Sequence, residues 1–298
     1  MSLEPIRHLA ESLGCVYAEL EPLSKHVSLR IGGKALFYVR PSDWKAAEII
    51  LLALWKSGLS FRVLGGGTNL LIPEGDLRYG AVHLKRLGGE TRWAGAKVEA
   101  DADIPMPALA AESVRRGLSG LEGMGGVPGT VGGAVVMNAG AFGNDVAKVL
   151  TDVALIEKGH GLAWYPAAQF TFEYRRTNIP EKGVVAGCRF TLTPGEPSAL
   201  AARFDEAKAR RNASQPWTQP TAGSVFKNPP GEYAGRILEE LGFKGRRRGG
   251  VGFSDLHANF LVNHGSGSFA DAWALCEEAR LQAAQKGHRL EYEMEVWP

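Results

Sequence analysis

The chain has 298 residues, 45% of them apolar and 22% charged, with a formal net charge of +2. That balance excludes a disordered chain and gives no reason to expect nucleic acid or another polyanion as partner. Three cysteines, Cys15, Cys188 and Cys276, lie far apart, which excludes a disulfide scaffold or a cysteine-rich metal site and points to a reducing, cytoplasmic compartment.

Along the chain, Glu4, Arg7 and Glu11 interrupt the first apolar residues, so no signal-peptide core is expected. Ser42 or Asp43 can cap a helix whose apolar positions Ala46, Ala47, Ile50, Leu51 and Leu54 recur at helical spacing, with Gly58 as its stop. A short strand, Ser60 to Leu64, runs into three glycines, and Val82 to Leu84 follows as another. Pro105 to Arg116 reads as a helix closed by Gly117, and Val153 to Glu157 and Val184 to Leu192 read as strands. Between them, Gly123 to Asn144 is free of charge and about as long as a bilayer span. Its glycines and Pro128 make it a ligand-binding loop region instead. Glu196 to Arg211 is a charged amphipathic helix and Asn212 to Pro220 a polar link, so one boundary is expected near residue 198. Beyond it come a helix around Tyr233 to Leu241, a strand Ala258 to Val262, a helix Phe269 to Lys286 with Ser268 and Asp271 as capping box, and a strand-like Leu290 to Trp297. The class is α+β, in two parts.

Glycine is the compositional outlier, at 38 residues. Gly65-Gly66-Gly67-Thr68-Asn69 follows a strand, and consecutive glycines can turn their N–H groups toward one point to form a phosphate nest, or can simply make a tight turn. It matches neither the P-loop nor the Rossmann fingerprint. The second cluster spans Gly125 to Ala134 and continues through Met137-Asn138-Ala139-Gly140. It lets backbone approach a flat aromatic ligand, or else marks close strand packing at a bend. In Phe172-Glu173-Tyr174-Arg175-Arg176-Thr177-Asn178, Arg175 can grip a carboxylate as a fork, although a surface arginine pair beside a strand is the commoner arrangement. Ala222-Gly223-Ser224-Val225-Phe226-Lys227-Asn228-Pro229 sets a serine in a small-residue turn, where it can face a substrate or merely cap the turn. Glu291, Glu293 and Glu295 alternate, so on a strand they share one face, either solvated or with one member turned into a cleft.

These segments, in this order, resemble the UDP-N-acetylenolpyruvoylglucosamine reductase family over nearly the whole chain, in its shorter branch without an extra tyrosine loop. The most specific matches are Leu64 to Leu71, Val127 to Ala134 with Met137 to Gly140, and Ala222 to Pro229. The resemblance implies a flavin domain of the vanillyl-alcohol-oxidase (PCMH) type over residues 1–198, followed by a smaller α/β substrate domain over 199–298 whose last strand returns toward the flavin. It implies non-covalent FAD held by Gly65, Gly66, Gly67, Thr68, Asn69, Leu70, Pro128, Gly129, Thr130, Gly132, Gly133, Ala134, Asn138, Ala139 and Gly140. NADPH is the implied hydride donor and UDP-N-acetylglucosamine enolpyruvate the acceptor. Arg175 and Glu293 then flank the substrate carboxylate, Ser224 is the proton donor, and Lys227, Asn228, His257 and Asn259 bind substrate. Beside an anionic substrate, Glu293 is expected to act protonated, which requires a raised pKa. No metal is implied, and a cytoplasmic monomer is expected.

The chain departs from the family pattern at three places. Ser214 stands where a basic residue is usual near the diphosphate, and Arg210, Arg211 or the run Lys244-Gly245-Arg246-Arg247-Arg248 can compensate unless that run is a solvated loop. Thr177 replaces a more frequent serine, and Val251-Gly252-Phe253 is unusual before Ser254. The rival readings are another FAD-dependent oxidase of the same flavin-domain superfamily and a non-catalytic UDP-sugar-binding module.

Overall fold

The computed structural model describes residues 2–141 and 143–298; Phe142, in the charge-free run, lies outside the described residues. Among the described residues eight α-helices punctuate an α+β chain: α1 (Glu4–Ser12), α2 (Trp44–Ser57), α3 (Met106–Arg115), α4 (Val131–Val136), α5 (Ile179–Lys182), α6 (Pro197–Ser214), α7 (Ala234–Glu240) and α8 (Phe269–Gln285). The chain divides into two compact units. The first holds Met1–Glu19, Leu36–Gly66 and Arg78–Arg210, and the second Leu20–Ala35, Gly67–Leu77 and Arg211–Pro298. The single boundary expected near residue 198 thus gives way to a discontinuous division. Its cause is packing: Leu29, Ile31 and Leu71 leave the first third of the chain to join the core of the second unit.

In the first unit, Asp43 caps α2 by accepting the Ala46 N–H at 2.8 Å, and Gly58 closes the helix in the left-handed region. The five apolar positions read from the sequence are all buried, against Ile6 of α1 and the strands Lys34–Arg40 and Gly80–His83. Gly80–His83 pairs in parallel with both Lys34–Arg40 and Phe61–Leu64. A second, antiparallel sheet runs Gly161–Pro166, Leu150–Glu157, Gly183–Thr191, Lys97–Asp101, Thr91–Ala94. Leu150–Glu157 is buried on both faces. Val153 and Leu155 join the core under α3 and α4, while Ala154 and Ile156 join the one under α1 and α2, the period-2 alternation of a central strand.

The second unit is a four-stranded antiparallel sheet, Thr221–Ser224, Phe260–Asn263, Val251–Phe253, Arg247–Arg248, covered by α7 and α8. Ser268 caps α8, its hydroxyl accepting the Asp271 N–H at 3.1 Å. Val251-Gly252-Phe253, unusual by sequence, is a fully buried strand of this sheet. Of the strand-like stretch Leu290 to Trp297, only Glu295–Val296 forms a strand, in parallel with Leu70–Leu71. No helix among the described residues is long and apolar enough to cross a membrane. Among its described residues the charge-free run contributes the six-residue α4, the two-residue strand Gly140–Ala141 paired with Asn144–Asp145, and irregular chain around them.

Candidate cofactor and active site

Within the first unit the two glycine clusters lie against each other. A Cβ on Gly66 would come within 2.8 Å of the Gly129 Cα, and one on Gly65 within 3.3 Å of the Thr130 hydroxyl. At Gly66 no side chain larger than hydrogen leaves room for this approach. The N–H groups of Gly65, Gly66 and Thr130 meet no acceptor among the described residues. Thr130 caps α4 through its hydroxyl, which accepts the Gly133 N–H at 3.4 Å. The glycines then differ in use. Gly132 is buried, bonds the Ala102 carbonyl, and has a Cβ position only 2.8 Å from the Ala102 side chain, so it serves the approach of α4 to the sheet. Gly133 and Pro128 are exposed, and Ala134 and Ala139 are core residues under α3.

Asn138 and Arg175 tie this region to the loop after it. Asn138 is buried at positive φ; its amide donates to the Glu173 carbonyl at 3.0 Å and accepts the Ala147 N–H at 3.3 Å. Arg175, also at positive φ, donates to the carbonyls of Gly140 at 2.6 Å and Asn138 at 3.4 Å and lies over the Tyr174 ring. These bonds leave the fork partly exposed and fixed in direction. The Thr177 hydroxyl donates to the Val136 carbonyl at 2.8 Å, at the end of α4, so the replacement of serine keeps a bonded hydroxyl.

A clamp from α6 was not legible in the motifs. Arg203 pairs with the buried Glu122 at 3.2 Å, and the Phe204 ring fills the space a Cβ on Gly125 would need. Glu122 also accepts the Ser119 hydroxyl at 3.0 Å and the Gly120 N–H at 2.6 Å. Burial pushes its pKa up, but the N–H groups of Gly120 and Glu122 itself, the Ser119 hydroxyl and the Arg203 charge more than offset this, and the net shift is downward.

In the second unit, Thr68, Asn69, Ser224 and Glu293 come together. Gly223, at φ 78, carries its Cβ position to 3.8 Å from the Thr68 carbonyl. The Asn69 amide donates to the Glu293 carbonyl at 3.0 Å, and the Glu293 N–H bonds the Val225 carbonyl at 2.9 Å. Ser224 therefore directly precedes the residue whose carbonyl bonds the irregular segment carrying Glu293. Its side chain is half-buried, and its hydroxyl makes no hydrogen bond among the described residues. Gly67 packs on His26 and Val27, its carbonyl accepting the Ser28 N–H at 2.8 Å, and Leu70 is buried in its short strand.

Three residues assigned to the substrate by resemblance have other partners in the fold. The buried Asn259 amide donates to the Phe226 carbonyl at 2.7 Å and accepts the Phe226 N–H at 2.9 Å, which uses both ends of the side chain on the backbone of one residue. The Asn228 carbonyl oxygen accepts the Ala234 N–H at 3.0 Å at the start of α7. His257 Nδ1 accepts the Asn259 N–H at 3.2 Å, and burial lowers its pKa. Lys227 is half-buried, and its N–H bonds the Glu291 carbonyl. The basic run is charge-balanced on its own unit: Lys244 with Glu239 at 2.8 Å, Arg246 with Glu278 at 2.5 Å, Arg247 with Asp255 at 3.9 Å and Arg248 with Asp271 at 3.6 Å. Exposed Arg210 pairs with Glu206 at 2.6 Å. Ser214 ends α6 in solvent.

A side-chain-free turn presenting backbone N–H groups suits the pyrophosphate of a dinucleotide, so the residues of the first unit fit FAD. Among the described residues no group of three or more His, Cys, Asp or Glu could hold a metal ion. Comparison with known proteins agrees with this chemistry. A family profile described as an FAD binding domain matches residues 35–161, and one described as the C-terminal domain of UDP-N-acetylenolpyruvoylglucosamine reductase matches residues 215–297. The reductase of Moorella thermoacetica is 38% identical over 278 residues, 93% of this chain and 92% of its own. That of Halalkalibacterium halodurans is 35% identical over 277 residues, with the same shares. The crystal structure of the reductase from Thermus caldophilus superposes with a TM-score of 0.81 at 30% identity, over 95% of this chain and 99% of that one. A more distant neighbour, the glucose dehydrogenase Phl p 4.0202, shares the fold at a TM-score of 0.50 and 14% identity, over 74% of this chain and 52% of its own.

Proposed function

The chain belongs to the UDP-N-acetylenolpyruvoylglucosamine reductase family of FAD-dependent oxidoreductases, its flavin domain of the vanillyl-alcohol-oxidase type, and from that premise we propose that it reduces UDP-N-acetylglucosamine enolpyruvate to UDP-N-acetylmuramate with NADPH as electron source. FAD, when bound, supplies a two-electron carrier between the nicotinamide and the enolpyruvyl double bond. The chain's own residues do the rest. Gly65, Gly66 and Thr130 offer N–H donors to the cofactor's phosphates. Arg175, already turned by its two carbonyl partners, takes the substrate carboxylate, where negative charge grows as the terminal methylene gains hydride. Ser224 delivers a proton to the adjacent carbon. Its hydroxyl is a weak acid, but toward a carbanionic carbon placement matters more than strength. Glu293 lies beside Ser224 to hold the same carboxylate region.

The observation that carries this reading is the Ser224 hydroxyl, uncommitted to any described residue and set beside the segment bearing Glu293. The test starts with colour. Purified protein should be yellow, and denaturation should release the pigment. Under anaerobic conditions NADPH should bleach it, and the enolpyruvyl nucleotide should restore it. Restoration by oxygen but not by the nucleotide selects an oxidase, and a protein that stays colourless in excess FAD selects a sugar-nucleotide-binding module. The same reading makes the protein a cytoplasmic monomer. Its three cysteines, all free thiols, fit a reducing compartment.

A further inference from the structure

The shape of the first glycine turn depends on a side chain that no motif contains. His83, only 5% exposed, ends the strand beside Phe61–Leu64 and reaches across to the turn. Its Nε2 lies 3.1 Å from the Gly65 carbonyl oxygen, and its Nδ1 lies 2.8 Å from the hydroxyl of Tyr38, itself 4% exposed. A carbonyl oxygen only accepts, so the bond to Gly65 requires the ring proton on Nε2. In the neutral ring Nδ1 is then an acceptor, and the Tyr38 hydroxyl donates to it. Tyr38 thereby sets the tautomer that His83 needs.

The Gly65–Gly66 peptide is planar and trans, so the Gly65 carbonyl and the Gly66 N–H point in opposite directions. With its carbonyl held inward by His83, the peptide presents the Gly66 N–H on the opposite side, where no described residue accepts it. Two glycines in succession impose little torsional resistance, so without the anchor this peptide could rotate and turn a carbonyl oxygen where a donor is needed. We propose that His83 is a positioning residue for the cofactor pyrophosphate: through Nε2, in the tautomer set by Tyr38, it holds the Gly65–Gly66 peptide with its N–H directed outward as an anion donor. This inference rests on the FAD reading above.

The test is FAD titration of apo-protein, followed by flavin fluorescence, with the melting temperature of each apo-protein measured alongside. Glutamine can place an amide N–H close to the position of the imidazole Nε2, whereas asparagine is too short and leucine has no donor. His83→Gln should bind FAD within about threefold of wild type. His83→Asn and His83→Leu should lose about tenfold, the factor expected for one hydrogen bond. Tyr38→Phe should lose less than His83→Leu, because it frees the tautomer without removing the donor. Equal affinity in all the His83 variants overturns the proposal. So does a loss in His83→Gln as large as in His83→Asn, or a loss that only follows the melting temperature. If no variant folds, the wild-type apo-protein decides through its histidine 15N–1H correlations: His83 protonated at Nε2 alone supports the assignment, and protonation at Nδ1 alone overturns it. A wild-type chain that takes up no FAD removes the cofactor reading together with this inference. Wild-type binding matched by His83→Asn removes the inference alone.

Discussion

At the scale of single residues, the proposed proton donor and the second-unit asparagine make opposite predictions. Ser224→Ala removes a hydroxyl that no described residue uses, so stability should hold. Anaerobic stopped-flow should show reduction by NADPH unchanged and reoxidation by the enolpyruvyl nucleotide slowed about 10²- to 10⁴-fold, the usual scale of general-acid assistance. Equal slowing of both half-reactions would remove Ser224 from the role. Asn259→Ala instead strands a buried N–H and a buried carbonyl of Phe226. Two such groups cost about 3 kcal/mol together, visible in thermal unfolding, with little change in substrate KM; a large KM rise at unchanged stability would return Asn259 to the substrate. The turn that holds Ser224 was legible because it has a recognisable local pattern. The work of Asn259 was not, since its partner lies 33 residues away and nothing local in sequence marks a side chain that bonds a remote peptide. His83 was missed for the same reason.

At the scale of elements, helices with a cap and a clean apolar period were readable. The ends of α2 and α8 fall within a residue of where Asp43, Gly58 and Ser268 put them. α4 was not, because Gly132-Gly133 carries a low helix propensity that packing on Ala102 overrides. The clamp of α6 on the glycine-rich loop supplies the prediction at this scale. The folded-state pKa of Glu122 is lowered below the ordinary glutamate value of 4.5. A depressed carboxyl contributes stability that is present above the unfolded value and lost as pH falls through the folded one. Melting temperature followed against pH should therefore show wild type above Glu122→Gln at neutral pH, with the gap closing only under acid conditions below about pH 4.5. A gap that is constant across that range would mean that Glu122 contributes through shape rather than charge.

At the scale of the molecule, the interleaved path of the chain decides what can stand alone. The core of the second unit includes Leu29, Ile31 and Leu71, Asn263 donates to the Leu29 carbonyl at 3.0 Å, and Glu295–Val296 needs Leu70–Leu71 as its strand partner. A fragment of residues 199–298 lacks Leu29, Ile31, Leu70 and Leu71. It should give a collapsed proton NMR spectrum and no cooperative melting; dispersed amide resonances would show that the excursions are dispensable. Sequence pattern located the change of composition near residue 198 but not the interleaving, because each excursion is too short to display a period of its own.

That interleaving has a consequence for synthesis. Leu29 and Ile31 leave the ribosome about 230 residues before the strand Phe260–Asn263 that helps to bury them. At about 5–20 residues per second, those side chains wait on the order of 10–50 s for their partners. Through that interval the nascent chain carries an uncovered apolar segment, which gives a chaperone time and reason to bind it.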